Sequence, residues 1–157
     1  MMLRDFTVWA EKKNWHIAGR TEACRLPDRI TERYRIPPEW LDFISNFSRC
    51  SDSTDTKWFL TFEDYFEKNE GFQWNEFELQ SLEAADSDSG WKSSIISYWD
   101  RHFPIAMCVD GEYAYYAVDT ENGHVVFGCE PEYEEPTVIA ESFEAFIQKL
   151  IANEIIL

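Results

Sequence analysis

Ile105-Ala106-Met107-Cys108-Val109-Asp110-Gly111-Glu112-Tyr113-Ala114-Tyr115-Tyr116-Ala117-Val118 decides the fold. An apolar run meets Asp-Gly and a second run follows, so the spacing predicts a β-hairpin whose two-residue loop, Asp110-Gly111, takes positive φ as a type I′ turn. A second turn, Thr120-Glu121-Asn122-Gly123, leads into residues 124–129, where Val125, Phe127 and Cys129 share one face by the two-residue period. The three runs predict an antiparallel meander. After it come the acidic Glu130-Pro131-Glu132-Tyr133-Glu134-Glu135-Pro136 and a short apolar run at 137–140. A helix is predicted over 142–153, with Ser142 as N-cap and Phe143, Phe146, Ile147, Leu150 and Ile151 as its buried stripe.

Working outward, Leu3, Phe6, Trp9 and Ala10 predict an N-terminal helix over 3–15, and Pro27 with Ile30 and Tyr34 a short second one. Pro37-Pro38 launches a third, where Trp40, Phe43, Ile44 and Phe47 stand at i, i+3, i+4 and i+7. Residues 48–57 read as an exposed polar loop. Trp58, Phe59, Leu60 and Phe62 predict a short strand, followed by a turn of helix around Tyr65 and Phe66 that Gly71 breaks. Residues 72–79 fit either helix or strand. Residues 85–90 read as a flexible loop, and Ile95, Trp99 and His102 predict a helix over 91–101. The fold class expected is α+β: a single domain with a twisted, mainly antiparallel sheet flanked by helices and closed by a C-terminal amphipathic helix.

The chain has 157 residues, the usual size of one domain, and 17% of them are aromatic, which predicts a core of bulky rings. No apolar run is long enough to span a bilayer and the first residues lack a signal-type apolar region, so a cytoplasmic protein is expected. Cys24, Cys50, Cys108 and Cys129 show no metal-ligand spacing, and Cys108 and Cys129 fall in predicted strands as small buried thiols. The net charge of −16 is uneven: residues 1–50 carry nine Lys/Arg against seven Asp/Glu, 51–103 four against twelve, and 104–157 one against eleven. So few cations in the last two thirds predict neither nucleic-acid nor membrane binding. The acidity either attracts a basic partner or only keeps an aromatic-rich protein in solution.

No catalytic constellation stands out. His16, His102 and His124 are widely spaced, and Asp86-Ser87-Asp88-Ser89-Gly90 lacks the register of a calcium loop. Nucleotide-binding glycines, a nucleophile elbow and HExxH are missing from the sequence. The expectation is a protein without catalytic, cofactor-binding or metal-binding residues.

Pro38-Glu39-Trp40-Leu41-Asp42-Phe43-Ile44 resembles the early proline-led helix of the SUKH superfamily, and Trp58-Phe59 its aromatic segment. Phe103-Pro104-Ile105-Ala106 resembles its strand entry, Val118-Asp119 with Asn122-Gly123-His124-Val125 its inter-strand turn, and Ile139-Ala140-Glu141-Ser142-Phe143-Glu144-Ala145-Phe146 its closing helix. The likeness runs from about Leu26 to Ile151, so residues 24–157 are read as the SUKH-like domain and 1–23 as a helical segment packed on it. The resemblance implies an α+β binding protein. Bacterial members are immunity proteins that neutralise secreted toxins, many of them nucleases; eukaryotic members regulate cell-wall assembly and glucan synthesis. Under the first reading the partner is a basic toxin domain. The acidic patch expected to meet it comprises Asp110, Glu112, Glu130, Glu132, Glu134 and Glu135, with Tyr113, Tyr115 and Tyr133 as aromatic anchors. Under the second the chain is an intracellular scaffold or regulator.

Overall fold

Every residue of one strand, Ala114–Asp119, is buried, so helices must cover both faces of the sheet at that point. The computed structural model, which describes residues 2–66, 71–155 and 157, shows how. Among those residues are six α-helices and seven strands: α1 (Met2–Lys12), β1 (His16–Gly19), α2 (Asp28–Arg33), α3 (Pro38–Ile44), β2 (Phe47–Ser51), β3 (Lys57–Phe59), a 3₁₀ turn (Phe62–Tyr65), α4 (Glu76–Ala85), α5 (Ser89–Arg101), β4 (His102–Cys108), β5 (Ala114–Asp119), β6 (Val125–Cys129), β7 (Thr137–Ala140) and α6 (Phe143–Ile151). The strands lie in one sheet in sequence order, each antiparallel to the next. The fold is α+β, with the sheet left open at β1 and β7.

Adjacent tyrosines on β5 mark the two faces, because successive side chains point opposite ways. Tyr116 meets Phe146 of α6 at 5.2 Å, on a layer where Phe6 of α1, Phe43 of α3 and Phe59 of β3 pack ring against ring. Tyr115 meets Trp99 of α5 at 4.8 Å and Phe77 of α4 at 5.8 Å. A third aromatic group, Tyr34, Trp40, Tyr65 and Phe103, fills the space where the 3₁₀ turn passes under β4, and the Tyr65 hydroxyl donates to the Pro104 carbonyl at 2.7 Å.

Several expectations hold. The proline-led helix, the strand near Trp58, the meander and the C-terminal helix are present, and the Ser142 side chain accepts from the Ala145 N–H at 3.0 Å as a cap must. Others change. Residues 48–51 of the expected loop join Phe47 in β2, because they pair with β1, a strand hidden in the short exposed segment His16–Gly19. The loop expected over 85–90 shortens to the turn at 86–88: Ala85 ends α4, Asp88 accepts from the Trp91 N–H at 3.0 Å, and Ser89 and Gly90 already belong to α5. Residues 72–79 resolve into a turn and the start of α4. The Asp110-Gly111 hairpin opens into five residues, 109–113, with positive φ at Gly111 and not at Asp110. The reason is that its ends bond elsewhere: Val109 N–H donates to the Thr56 carbonyl, and Tyr113 exchanges bonds with Glu130. The helical turn expected to run up to Gly71 would cross residues 67–70, which lie outside the described residues.

Gly128 faces Tyr115 across the β5–β6 pair. A Cβ there would lie 2.5 Å from the Tyr115 hydroxyl oxygen and 2.6 Å from its ring, and the ring, buried and hydrogen-bonded, has nowhere to go. Gly128→Ala should therefore lower stability by about 1–3 kcal/mol, read as a reduced urea midpoint with an unchanged m-value.

Candidate functional site: the acidic end of the sheet

In an antiparallel meander alternate connections return to the same end, so the β2–β3, β4–β5 and β6–β7 loops share one. Residues 52–56, 109–113 and 130–136 hold eight carboxylates and neither lysine nor arginine. Hydrogen bonds tie the loops together. Val109 N–H donates to Thr56 O at 2.8 Å, Glu130 N–H to Tyr113 O at 2.9 Å, and Tyr113 N–H to the Glu130 carboxylate at 3.0 Å. Asp52 organises the first loop from within, accepting from the Thr56 and Lys57 N–H groups at 2.9 and 3.2 Å. The Cys129 thiol is pushed up by burial, then by the charges of Glu112 and Glu130, as expected where those carboxylates crowd one strand end.

The residues singled out from the sequence divide into two groups. Asp110, Glu112, Glu132 and Glu135 are exposed, Glu130 is half-buried, and Tyr113 is 38% exposed; all six share this end. Tyr115, Tyr133 and Glu134 do not present themselves to a partner. Tyr115 is fully buried, and its hydroxyl donates to the Tyr133 carbonyl while lying 2.6 Å from the Tyr98 hydroxyl. With its one proton so used, Tyr115 must accept from Tyr98. Tyr133 is 6% exposed, stacks on Phe77 at 4.5 Å and donates to Gln80 at 3.1 Å; burial, followed by nearby Glu130, pushes its hydroxyl up to about 12. Glu134 turns inward and accepts from the Trp99 indole at 2.7 Å and the Ser81 hydroxyl at 2.8 Å. Tyr115 follows the sheet's alternation into the layer under α4 and α5, Tyr133 turns into it from the β6–β7 loop, and Glu134 fastens that loop to those helices.

Sequence reasoning missed Asp55 of the β2–β3 loop at this end, because β2 itself went unread. It also missed a cleft of about 440 Å³ at the opposite end, lined by Pro37, Pro38, Glu39, Val118, Gly123 and Phe143 among others. There Glu39 accepts from the Glu144 N–H at 3.1 Å, occupying the N-terminus of α6 with a charge of the chain's own. Three of the five segments quoted above for their family likeness contribute to this cleft, and nothing in their separate patterns announced that they meet.

Beside the β5–β6 turn a polar group is packed under α5. His102 is 7% exposed and stacks on Tyr98 at 3.9 Å; its Nδ1 lies 2.7 Å from the Tyr98 carbonyl, which fixes the Nδ1–H tautomer. Its Nε2 lies 3.8 Å from Asp119, whose carboxylate takes a two-pronged grip from Arg101 at 2.8 and 2.7 Å. Burial lowers the imidazole, against the pull of the Tyr98 carbonyl and Asp119. Among the described residues, no group of three or more His, Cys, Asp or Glu is placed to hold a metal ion, and no helix is long and apolar enough to cross a membrane. No protein-family model, curated protein or solved structure matches this chain.

Two outcomes follow from this geometry. Glu134→Ala strands the Trp99 indole and the Ser81 hydroxyl and should cost about 1–3 kcal/mol, whereas Glu132→Gln and Glu135→Gln should stay within about 0.5 kcal/mol; chemical denaturation separates them. Because the folded state holds His102 below its ordinary value, the stability it contributes is complete above about pH 6.5 and is lost as pH falls through the folded value. Melting curves between pH 7 and 5 should show a decline that flattens in His102→Asn.

Proposed function

We propose that this chain is a non-catalytic, SUKH-like protein-binding module, an immunity protein that captures a basic toxin domain, of nuclease type, through the acidic end of its sheet. The observation that carries the reading is the convergence of three hairpin loops, free of lysine and arginine, around the half-exposed ring of Tyr113. A nuclease must hold phosphates and so presents clustered cations. Carboxylates arrayed at one end of a rigid sheet meet those cations with little rearrangement, accelerate encounter and cover the cleft that would hold nucleic acid. The family likeness supports the same reading, since its segments occur in this chain in the expected order on an α+β frame.

A second reading has one observation in its favour. The cleft at the opposite end, with two prolines and Phe143 in its walls, suits an extended peptide, as a scaffold or regulator of the cell-wall assembly type would bind.

The test is capture at low salt from the source organism's lysate and secreted fraction, followed by an activity assay on whatever basic domain is recovered. The immunity reading expects stoichiometric inhibition of a nuclease. It also expects the association rate to fall about tenfold or more when Glu112, Glu132 and Glu135 become Gln together, and to fall again as salt rises. Recovery of wall-synthesis proteins, with binding indifferent to the triple variant, would replace it with the scaffold.

A further inference from the structure

The layer of α4 and α5 covers only the central part of its sheet face. At its margin Trp58 of β3 packs edge-on against Phe72 at 5.8 Å, and Phe72 edge-on against Tyr113 at 5.9 Å. All three rings keep some exposure, so an aromatic row runs along the acidic end from β3 to the β4–β5 loop. Beside Trp58 lies a cavity of about 300 Å³ walled by Trp58, Phe72, Trp74, Asp55 and Asp64. A neighbouring cavity of about 170 Å³ shares Asp55, Trp58 and Asp64 with it and has Ser51 in its wall. Ser51 is 3% exposed, yet its hydroxyl has no hydrogen-bond partner. A buried hydroxyl left without a partner in the protein takes one from outside it, a water or a group that enters the recess.

The geometry points to this recess as the anchor pocket for an arginine side chain of the basic partner, an inference that rests on the binding function proposed above. Ring faces attract a cation, and two carboxylates in the same wall neutralise it. A guanidinium suits the recess better than an ammonium because it lies flat on a ring while its edge donates to oxygens around it. The chain builds the same grouping twice for arginines of its own. Arg33 lies over Tyr34 at 5.0 Å and Trp74 at 6.0 Å while it grips Glu78 and Asp100. Arg20 lies over Phe62 at 5.2 Å while it grips Glu63.

Asp64 contributes charge from a fixed position, since its Oδ2 accepts from the Thr61 N–H at 2.8 Å. Asp55 contributes reach. Its one ion-pair contact among the described residues, to Arg49 at 3.6 Å, is too long for a hydrogen bond and largely exposed, so an incoming guanidinium displaces little. A recess that joins aromatic rings with carboxylates suits an interface anchor, with the outer acids steering the partner toward it.

The test uses N-acetyl-argininamide titrated into the isotopically labelled protein, with the tryptophan indole N–H signals followed by NMR. Saturable shifts are expected at Trp58 and Trp74, with N-acetyl-lysinamide binding about threefold or more weakly. Asp55→Asn should weaken the arginine probe about fivefold. Asn suits the φ of 59° at this position, so the fold is kept. Trp58→Leu, checked by thermal melting, should abolish the shifts.

Shifts that fail to saturate, equal binding of the two probes, or wild-type binding by both variants would overturn the pocket. A hexa-arginine peptide separates this failure from that of the parent reading. Peptide binding weakened by the Glu112, Glu132 and Glu135 substitutions but untouched by Asp55→Asn and Trp58→Leu removes the pocket and leaves the acidic end. No binding to the wild-type protein at low salt removes both.

Discussion

The placement of Tyr115 is the constraint on which the acidic end depends. Its ring lies across Gly128 on the neighbouring strand, where a side chain of any kind would collide with it. From there its hydroxyl reaches the Tyr133 carbonyl and takes a bond from Tyr98 of α5. One side chain thus joins the β5–β6 ladder, the helical layer above it and the loop that carries Glu130 to Glu135. Glu134 adds a second tie, to Trp99 and Ser81. A loop so rich in like charges would spread away from itself if left to solvent; here two inward side chains, Tyr133 and Glu134, hold it against the sheet while Glu132 and Glu135 remain outside.

How much of this was legible in the sequence depends on where the signal lay. The meander and the closing helix were, because two-residue alternation and the Phe143–Phe146–Ile147–Leu150 stripe are local patterns. β1 and β2 were not: His16–Gly19 is short and mostly exposed, and Phe47–Ser51 is polar enough to pass for a loop, since its pairing with β1 lies 30 residues away and is invisible to local propensity. The Asp110-Gly111 turn failed for the same reason, its ends being captured by Thr56 and Glu130 from other hairpins.

The acidic end was legible in composition and only half legible by residue. Alternation already placed Tyr115 and Tyr116 on opposite faces, but it could not say that both faces are covered, which depends on helices elsewhere in the chain. Glu134 differs from Glu132 and Glu135 by nothing in its neighbourhood; only the arrival of Trp99 and Ser81 makes it internal. Trp58, Phe72 and Tyr113, far apart in sequence, form a row because β3, the entry to α4 and the β4–β5 loop arrive at one edge of the helical layer.

Three arginines are committed away from the acidic end. Arg20 is engaged by Glu63, Arg33 by Glu78 and Asp100, and Arg101 by Asp119 and Glu121. These pairs stitch loops and helices at the flank and at the far end of the sheet, and two of the three arginines also rest on aromatic rings. Burial of Arg33 disfavours its charge, yet the bonds it donates to Glu78 hold the guanidinium well above its ordinary value. Cations fixed in this way cannot swing over to screen the three loops. The field at the acidic end therefore follows from how the positive charge is locked up as much as from the number of carboxylates. A partner that brings its own cations meets loops that these three arginines do not screen.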